Sequence, residues 1–362
     1  MKKLSSTIAI LAGVVLLATD AAAQVSLTPP GLGPPPASKA PAKPPAAKPP
    51  AKKPPVAPAP APMPPEAKPG IPILQNAIGS QMPDDPNADL VYGAFQRGQY
   101  KTAFDLASKR AQAGDAKAMT MLGELYSNAF GVKRDYGKAV EWYKRASDAG
   151  DRAAMFALAM MRLSGRGVPA DRQEAVKLLA SAAKLGEAKA AYNLALLYLD
   201  GQTFPQDLKR SAELLRMAAD AGSPEAQYAL ATFYKEGNGV PKDLEKAARL
   251  LQQAALADNV DAEVEYAIAL FNGTGTPKNE AVAVALLRRA ARQNSPIAQN
   301  RLARVLVTGW GAPVDLLEGL KWHLIAKTAG NGDPQMDDAV ARLSADDRAK
   351  VEEGVRRWFG KK

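Results

Sequence analysis

From about residue 115 onward the apolar positions follow two nested periods. Within short stretches they fall at i, i+4 and i+7, as Ala118, Leu122 and Leu125 do, which is one stripe of an α-helix. Over longer distances the same order of residues returns every 36 positions. An alanine column reads Ala118, Ala154, Ala190, Ala226, Val264 and Ala298, and a leucine column reads Leu122, Leu158, Leu194, Leu230, Ile268 and Leu302. Small residues follow it at Gly123, Ala159, Ala195, Ala231, Ala269 and Ala303, where neighbouring helices approach closely. A second stripe begins as Ala139, Trp142, Tyr143 and Ala146 and returns as Ala175, Leu178, Leu179 and Ala182, then late in the chain as Gly319, Trp322, His323 and Ala326. In the fifth block the first-helix columns read two residues late, which implies an insertion near "DNVDAE" and a compensating loss before "NGTGTPKN".

Punctuation separates the two stripes. The turn column is Ala129, Gly165, Gly201, Gly237, Gly273 and Gly309, with a second glycine two residues on in every block except at Thr203. Glycine ends a helix here because it takes positive φ without a Cβ clash. Pro169, Pro205, Pro241, Pro277 and Pro313 then prevent the first helix from running on. Asp135, Asp171, Asp207, Asp243, Asn279 and Asp315 are placed to cap the second helix. Gly150, Gly186, Gly222, Asp258, Asn294 and Gly330 close each block as left-handed caps.

Each block is therefore a helical hairpin with one apolar flank that it cannot bury alone. Stacking the hairpins buries a continuous core, so the pattern predicts an all-α, right-handed α/α superhelical solenoid. Residues 115–333 hold six repeats. Ala103, Leu106, Ala107 and Gly114 are in register with the second-helix columns, so 87–114 is expected to be a degenerate first hairpin. In the closing segment, 334–362, Ser344 and Asp347 form a capping box for a last helix ending near Gly360.

The first 86 residues are different material. "MKKLSSTIAILAGVVLLATDAAAQ" has two lysines, a short apolar run and an Ala-x-Ala ending, the pattern of a secretory signal peptide over 1–23 cleaved near Ala23. Residues 24–86 are rich in Pro, Ala and Lys with little to bury, and are expected to be a disordered, semi-rigid linker. These features predict an exported protein, most simply a periplasmic one. The formal net charge is +10, and Lys39, Lys43, Lys48, Lys52, Lys53 and Lys68 place much of it in the linker. Weak contact of that segment with anionic cell-wall polymers or a lipid surface is expected, and nucleic acid is not an expected partner.

The columns "A-x-x-x-L-G-x-x-Y", "G-x-G-V-x-x-D" and "A-x-x-W-Y-x-x-A" resemble the Sel1-like repeat family, relatives of the tetratricopeptide repeats. Ala118, Leu122, Gly123, Tyr126, Gly131, Val132, Asp135, Ala139, Trp142, Tyr143, Ala146 and Gly150 carry the resemblance most fully. It implies an α/α superhelix that serves as a protein-binding scaffold, often exported in bacteria, with no shared catalytic site. Some exported relatives staple each repeat with a disulfide, and this chain has no cysteine.

The chemistry available is limited. One histidine, His323, stands in a packing column, so no nucleophile–His–acid set can be assembled around it and no structural metal site is expected. "FNGTGTPK" lacks a preceding strand and the Lys-Ser/Thr ending of a phosphate loop. No enzyme activity and no cofactor are expected. The ladder two residues after the alanine column, Thr120, Phe156, Tyr192, Tyr228, Tyr266 and Asn300, either lines a concave groove or packs between repeats. Beside it Lys117, Glu124, Asn193 and Arg304 are candidate partner-binding residues. The sequence thus points to an envelope scaffold that binds a partner protein, with a cell-wall glycan or peptidoglycan binder as the alternative.

Overall fold

A computed structural model describes residues 89–201 and 205–360. The segments expected to be a signal peptide and a linker, and Thr203, lie outside the described residues. Sixteen helices and no strand are present among the described residues. Two short elements, α1 (Leu90–Gln96) and α2 (Tyr100–Gln112), open the array. Six hairpins follow: α3 (Ala116–Asn128) with α4 (Tyr136–Asp148), α5 (Arg152–Ser164) with α6 (Arg172–Lys184), and α7 (Ala188–Asp200) with α8 (Leu208–Asp220). Next come α9 (Pro224–Glu236) with α10 (Leu244–Leu256), α11 (Val260–Asn272) with α12 (Glu280–Arg292), and α13 (Pro296–Thr308) with α14 (Leu316–Thr328). The chain closes with α15 (Pro334–Ala341) and α16 (Ala345–Phe359).

Each of the twelve repeat helices has 13 residues, and every one starts 36 positions after its counterpart. The fifth hairpin is therefore in register, and the expected insertion and deletion around it are corrected. Ala262, not Val264, holds its alanine position and is fully buried. Tyr266, not Ile268, stands in its leucine position, and Val264 takes the ladder position. Asn259 fixes this start by accepting from the Ala262 amide at 2.9 Å, as Asp115, Asp151, Ser223 and Ser295 do at the same position of other repeats.

The second-helix caps form as the sequence predicts. Asp135, Asp171, Asp207, Asp243, Asn279 and Asp315 each accept the amide three residues on, at 2.8–3.1 Å. Their own amides donate back to the first helix, from Asp135 to the Tyr126 carbonyl at 3.0 Å through Asp315 to Leu306 at 2.9 Å. The turn is thus locked from both sides, satisfying groups that a helix end leaves orphaned. Gly150, Gly186, Gly222 and Gly330 have positive φ, and so do Asp258 and Asn294 in the equivalent place.

The second glycine, present in five of the six turns, does something further. A Cβ on Gly131 would lie 2.8 Å from the Tyr100 backbone. On Gly167, Gly239 and Gly275 it would collide with the backbone of Tyr136, Leu208 and Leu244. Each contact is with the first residue of the preceding hairpin's second helix. This glycine therefore sets how closely successive hairpins stack.

The alanine and leucine columns are buried from Ala118, Leu122 and Ala154 to Ala298 and Leu302, except at Tyr266, which is partly buried. In the second helices Tyr143, Leu179, Leu215, Leu251, Leu287 and His323 fill one buried column. Tyr143 lies over Gly123, where a Cβ would meet its ring at 2.5 Å. The core runs the length of the array in three clusters, with Leu178 packing against the first two and Tyr266 against the last two. At the end, the Ser344 hydroxyl accepts from the Asp347 amide at 3.1 Å, as the capping box requires. Val351 and Trp358 of α16 cover α14, with the Trp358 ring edge-on to Trp322 at 5.0 Å.

Candidate partner-binding surface

The first helices α3, α5, α7, α9, α11 and α13 present the face on which the candidate residues sit. Its outward positions are those of Lys117, Met121, Glu124 and Asn128 in the first repeat and their 36-residue equivalents, of which Ala229 is buried. Below them run the ladder side chains. Tyr192 is 8% exposed, and Phe156, Tyr228 and Tyr266 are partly buried against the same apolar cluster. Tyr266, being in the leucine column, does not belong to that ladder. The ring faces are mainly spent on packing between repeats.

The four polar candidates do not converge. Lys117 is exposed at the start of α3. Glu124 is half-buried and accepts from the Tyr143 hydroxyl at 3.1 Å and from Asn128 at 2.7 Å. Asn193 donates to the Lys189 carbonyl at 2.8 Å. Arg304 pairs with Asp333 at 2.7 Å, five repeats away from Glu124. His323 is fully buried, and its Nε2 lies 2.8 Å from Asp337, which also receives Lys327 at 2.8 Å. Among the described residues no group of three or more His, Asp or Glu is arranged to hold a metal ion. No helix among them is long and apolar enough to cross a membrane.

A charged stretch the sequence reading missed lies further along the same face. Glu225, Glu236 and Asp261 are exposed and Glu265 is partly so. Burial pushes the Tyr228 hydroxyl well above its usual range, and the charges of Glu265, Asp261 and Glu236 push it the same way. Burial and then Glu225 do this for Tyr192. Desolvation, then the Glu265 charge, raises the Asp261 carboxyl. Lys235 bridges from α9 to Glu265 on α11 at 2.8 Å. The two-residue misplacement of the fifth block hid this group, because it moved Asp261 and Glu265 off the open face. The Asn259 cap was the signal that would have restored them.

Between repeats four and five a carboxylate is buried beside a partly exposed arginine. Glu263 is fully buried, 2.9 Å from Arg289 Nε and accepting from Gln293 at 2.9 Å. Its counterparts Gln227 and Gln299 donate to the carbonyls of Ala219 and Ala291 on the preceding helix. A carboxylate cannot donate, and here Arg289 donates to the matching Ala255 carbonyl instead.

This arrangement defines an α/α repeat array whose polar groups cap, bridge and stack its own hairpins. Six copies of the Sel1 repeat model match residues 116–151, 152–187, 188–223, 224–259, 260–295 and 296–331, and the chain belongs to the Sel1 repeat family. A Sel1 repeat protein from Oxalobacter formigenes is similar over 66% of this chain and 98% of its own, with 27% identity and a TM-score of 0.60. A protective antigen present in uropathogenic Escherichia coli strains, displaying the same repeat fold, is similar over 72% of this chain and 64% of its own, with 24% identity and a TM-score of 0.50. A comparison with curated proteins returns no match. Sel1 repeats are helical scaffolds that commonly mediate protein–protein interactions, and the family is not typically enzymatic.

Proposed function

We propose that the protein is an exported, non-enzymatic scaffold that holds a partner protein along the open face of its first helices in a bacterial cell envelope. The observation that carries this reading is how the repeats use their chemistry. Conserving the 36-residue geometry consumes the glycines, the capping carboxylates and the buried tyrosines, and what varies from repeat to repeat is the open face. A surface that changes from repeat to repeat on a constant frame suits recognition of an extended partner. Affinity would come from a few anchors, with the remaining contacts supplying shape.

The amino-terminal pattern supports export, and the Pro-Lys segment acts as a spacer that touches anionic cell-wall or membrane surfaces weakly. A glycan platform is less well supported, because it draws on flat aromatic faces and Tyr192 and its neighbours are mostly covered. The test is in-cell cross-linking of the full chain followed by identification of the adducts. A protein adduct is expected. Recovery with cell-wall sacculi and no protein adduct would replace the scaffold reading with the glycan one.

A further inference from the structure

The open face changes character along the array. Across repeats three to five its middle is small or apolar, with the half-buried Leu196 on α7, Thr232 on α9 and Ile268 on α11, and with the buried Ala229 and the tyrosines Tyr192 and Tyr228 beneath. Both edges carry carboxylates. Glu225 and Asp261 stand at the amino ends of α9 and α11, and Asp200 and Glu236 at the carboxyl ends of α7 and α9. Glu265 stands inside the row, beside Asp261. Lys189 and Lys235 are the cations on the same stretch, Lys235 is already paired with Glu265, and Arg301 on α13 faces Glu265 from the next repeat. The chain as a whole has a formal charge of +10, so this acidic stretch runs against the sign of the molecule.

The dimensions constrain the occupant. Glu225 and Glu236 are eleven positions apart on one helix, about 16 Å at 1.5 Å per residue, and an α-helix with its side chains is about 10–12 Å across. One amphipathic helix laid along the array therefore fits between the rims, its flanking cations reaching carboxylates on both sides.

We propose that this face, from Tyr192 to Ile268, is the docking surface for an amphipathic, lysine- or arginine-bearing helix of a partner protein. The proposal rests on the scaffold reading and names its partner's chemistry. Apolar side chains of the helix rest on Leu196, Thr232 and Ile268, and its cations face the two rims. The rim charges speed encounter and reject acidic segments, so binding weakens with salt.

The test uses the full chain and two model peptides, each about 18 residues or five helical turns long. One is an amphipathic leucine–lysine peptide, and the other is its leucine–glutamate counterpart. Fluorescence anisotropy should show binding of the first and not of the second, weakening as salt rises from about 50 to about 300 mM. Glu225→Gln with Asp261→Asn, and separately Thr232→Lys, should each weaken binding by about tenfold or more. Glu141→Gln with Glu245→Gln, on exposed second-helix positions, should leave it unchanged. Circular dichroism checks the fold, and if Thr232→Lys perturbs it, the isosteric pair decides. Equal binding of both peptides, or parent-like binding by the neutralised pair, overturns the proposal. The two readings fail differently. A cross-linked partner that docks here through an acidic segment sinks this proposal and leaves the scaffold. Absence of any protein partner sinks the scaffold, whatever the peptides do.

Discussion

Replacing Gly167 by alanine should damage the array far more than replacing Gly165, its neighbour in the same turn. Both glycines have positive φ, 67° and 70°. For Gly165 the nearest atom to an added Cβ is the Ala170 methyl at 3.5 Å, an ordinary contact. Ala129 already occupies the same place in the first repeat with φ of 62°. Gly165→Ala therefore carries only the left-handed penalty of about 1–2 kcal/mol, less about 0.4–1 kcal/mol for the stiffer unfolded chain. The net cost is about 1 kcal/mol. A Cβ on Gly167 would also overlap the Tyr136 backbone and lie 2.8 Å from its Cβ. Relieving such overpacking typically costs about 1–3 kcal/mol, which brings Gly167→Ala to about 2–4 kcal/mol. Guanidinium unfolding followed by helical circular dichroism measures both variants, and amide exchange at the α4 amino end reports where the damage falls. If Gly167→Ala comes within about 0.5 kcal/mol of Gly165→Ala, the second glycine does not set the stacking distance.

Other consequences follow from single contacts. Asp171→Ala removes the cap on the Glu174 amide and should cost about 1 kcal/mol by chemical denaturation. Asp337 is held below its usual carboxylate range by hydrogen bonds from Lys327 and then His323. Its folded pKa is depressed, so its contribution is full above the unfolded pKa and is lost as pH falls through the folded one, below about pH 4. Asp337→Asn should lose less stability than the parent between pH 5 and pH 2 (approximate limits), and an unchanged acid profile would contradict this. Glu263→Ala removes a buried acceptor from Arg289, which is partly exposed and keeps Asp258 and the Ala255 carbonyl, and should cost about 1–3 kcal/mol. Glu263→Gln should be milder by thermal unfolding, because Gln227 and Gln299 already fill that position.

Much of the fold was legible because its signals are backbone requirements. Asp135 through Asp315 must accept an amide, and Gly150 through Gly330 must turn left-handed, so those residues advertise their positions. The fifth repeat misled because apolarity was followed instead of capping. Val264 and Ile268 look like core material, whereas Tyr266 in the leucine column sits between two clusters that it helps to join. Asn259, a cap with a geometric demand, was the better guide. The candidate surface was less legible for the same physical reason. Aromatic side chains in the ladder satisfy packing and recognition equally well in a sequence, and only burial separates the two. The polar candidates Glu124 and Arg304 are held by Tyr143 and Asp333, partners set by the fold and distant in sequence. Glu263 gave no sign in the sequence that its charge would be buried beside Arg289.

The central physical claim is that each 36-residue block solves one packing problem and can be exchanged for the next. Deleting residues 188–223, one whole repeat, tests it most directly. The account predicts a folded, shorter array whose helical signal falls in proportion and whose remaining hairpins keep their amide protection, because Gly239 would then stack on Arg172 as it now stacks on Leu208. A protein that unfolds or aggregates after this in-register deletion, or one that tolerates a deletion two residues out of register equally well, would contradict it.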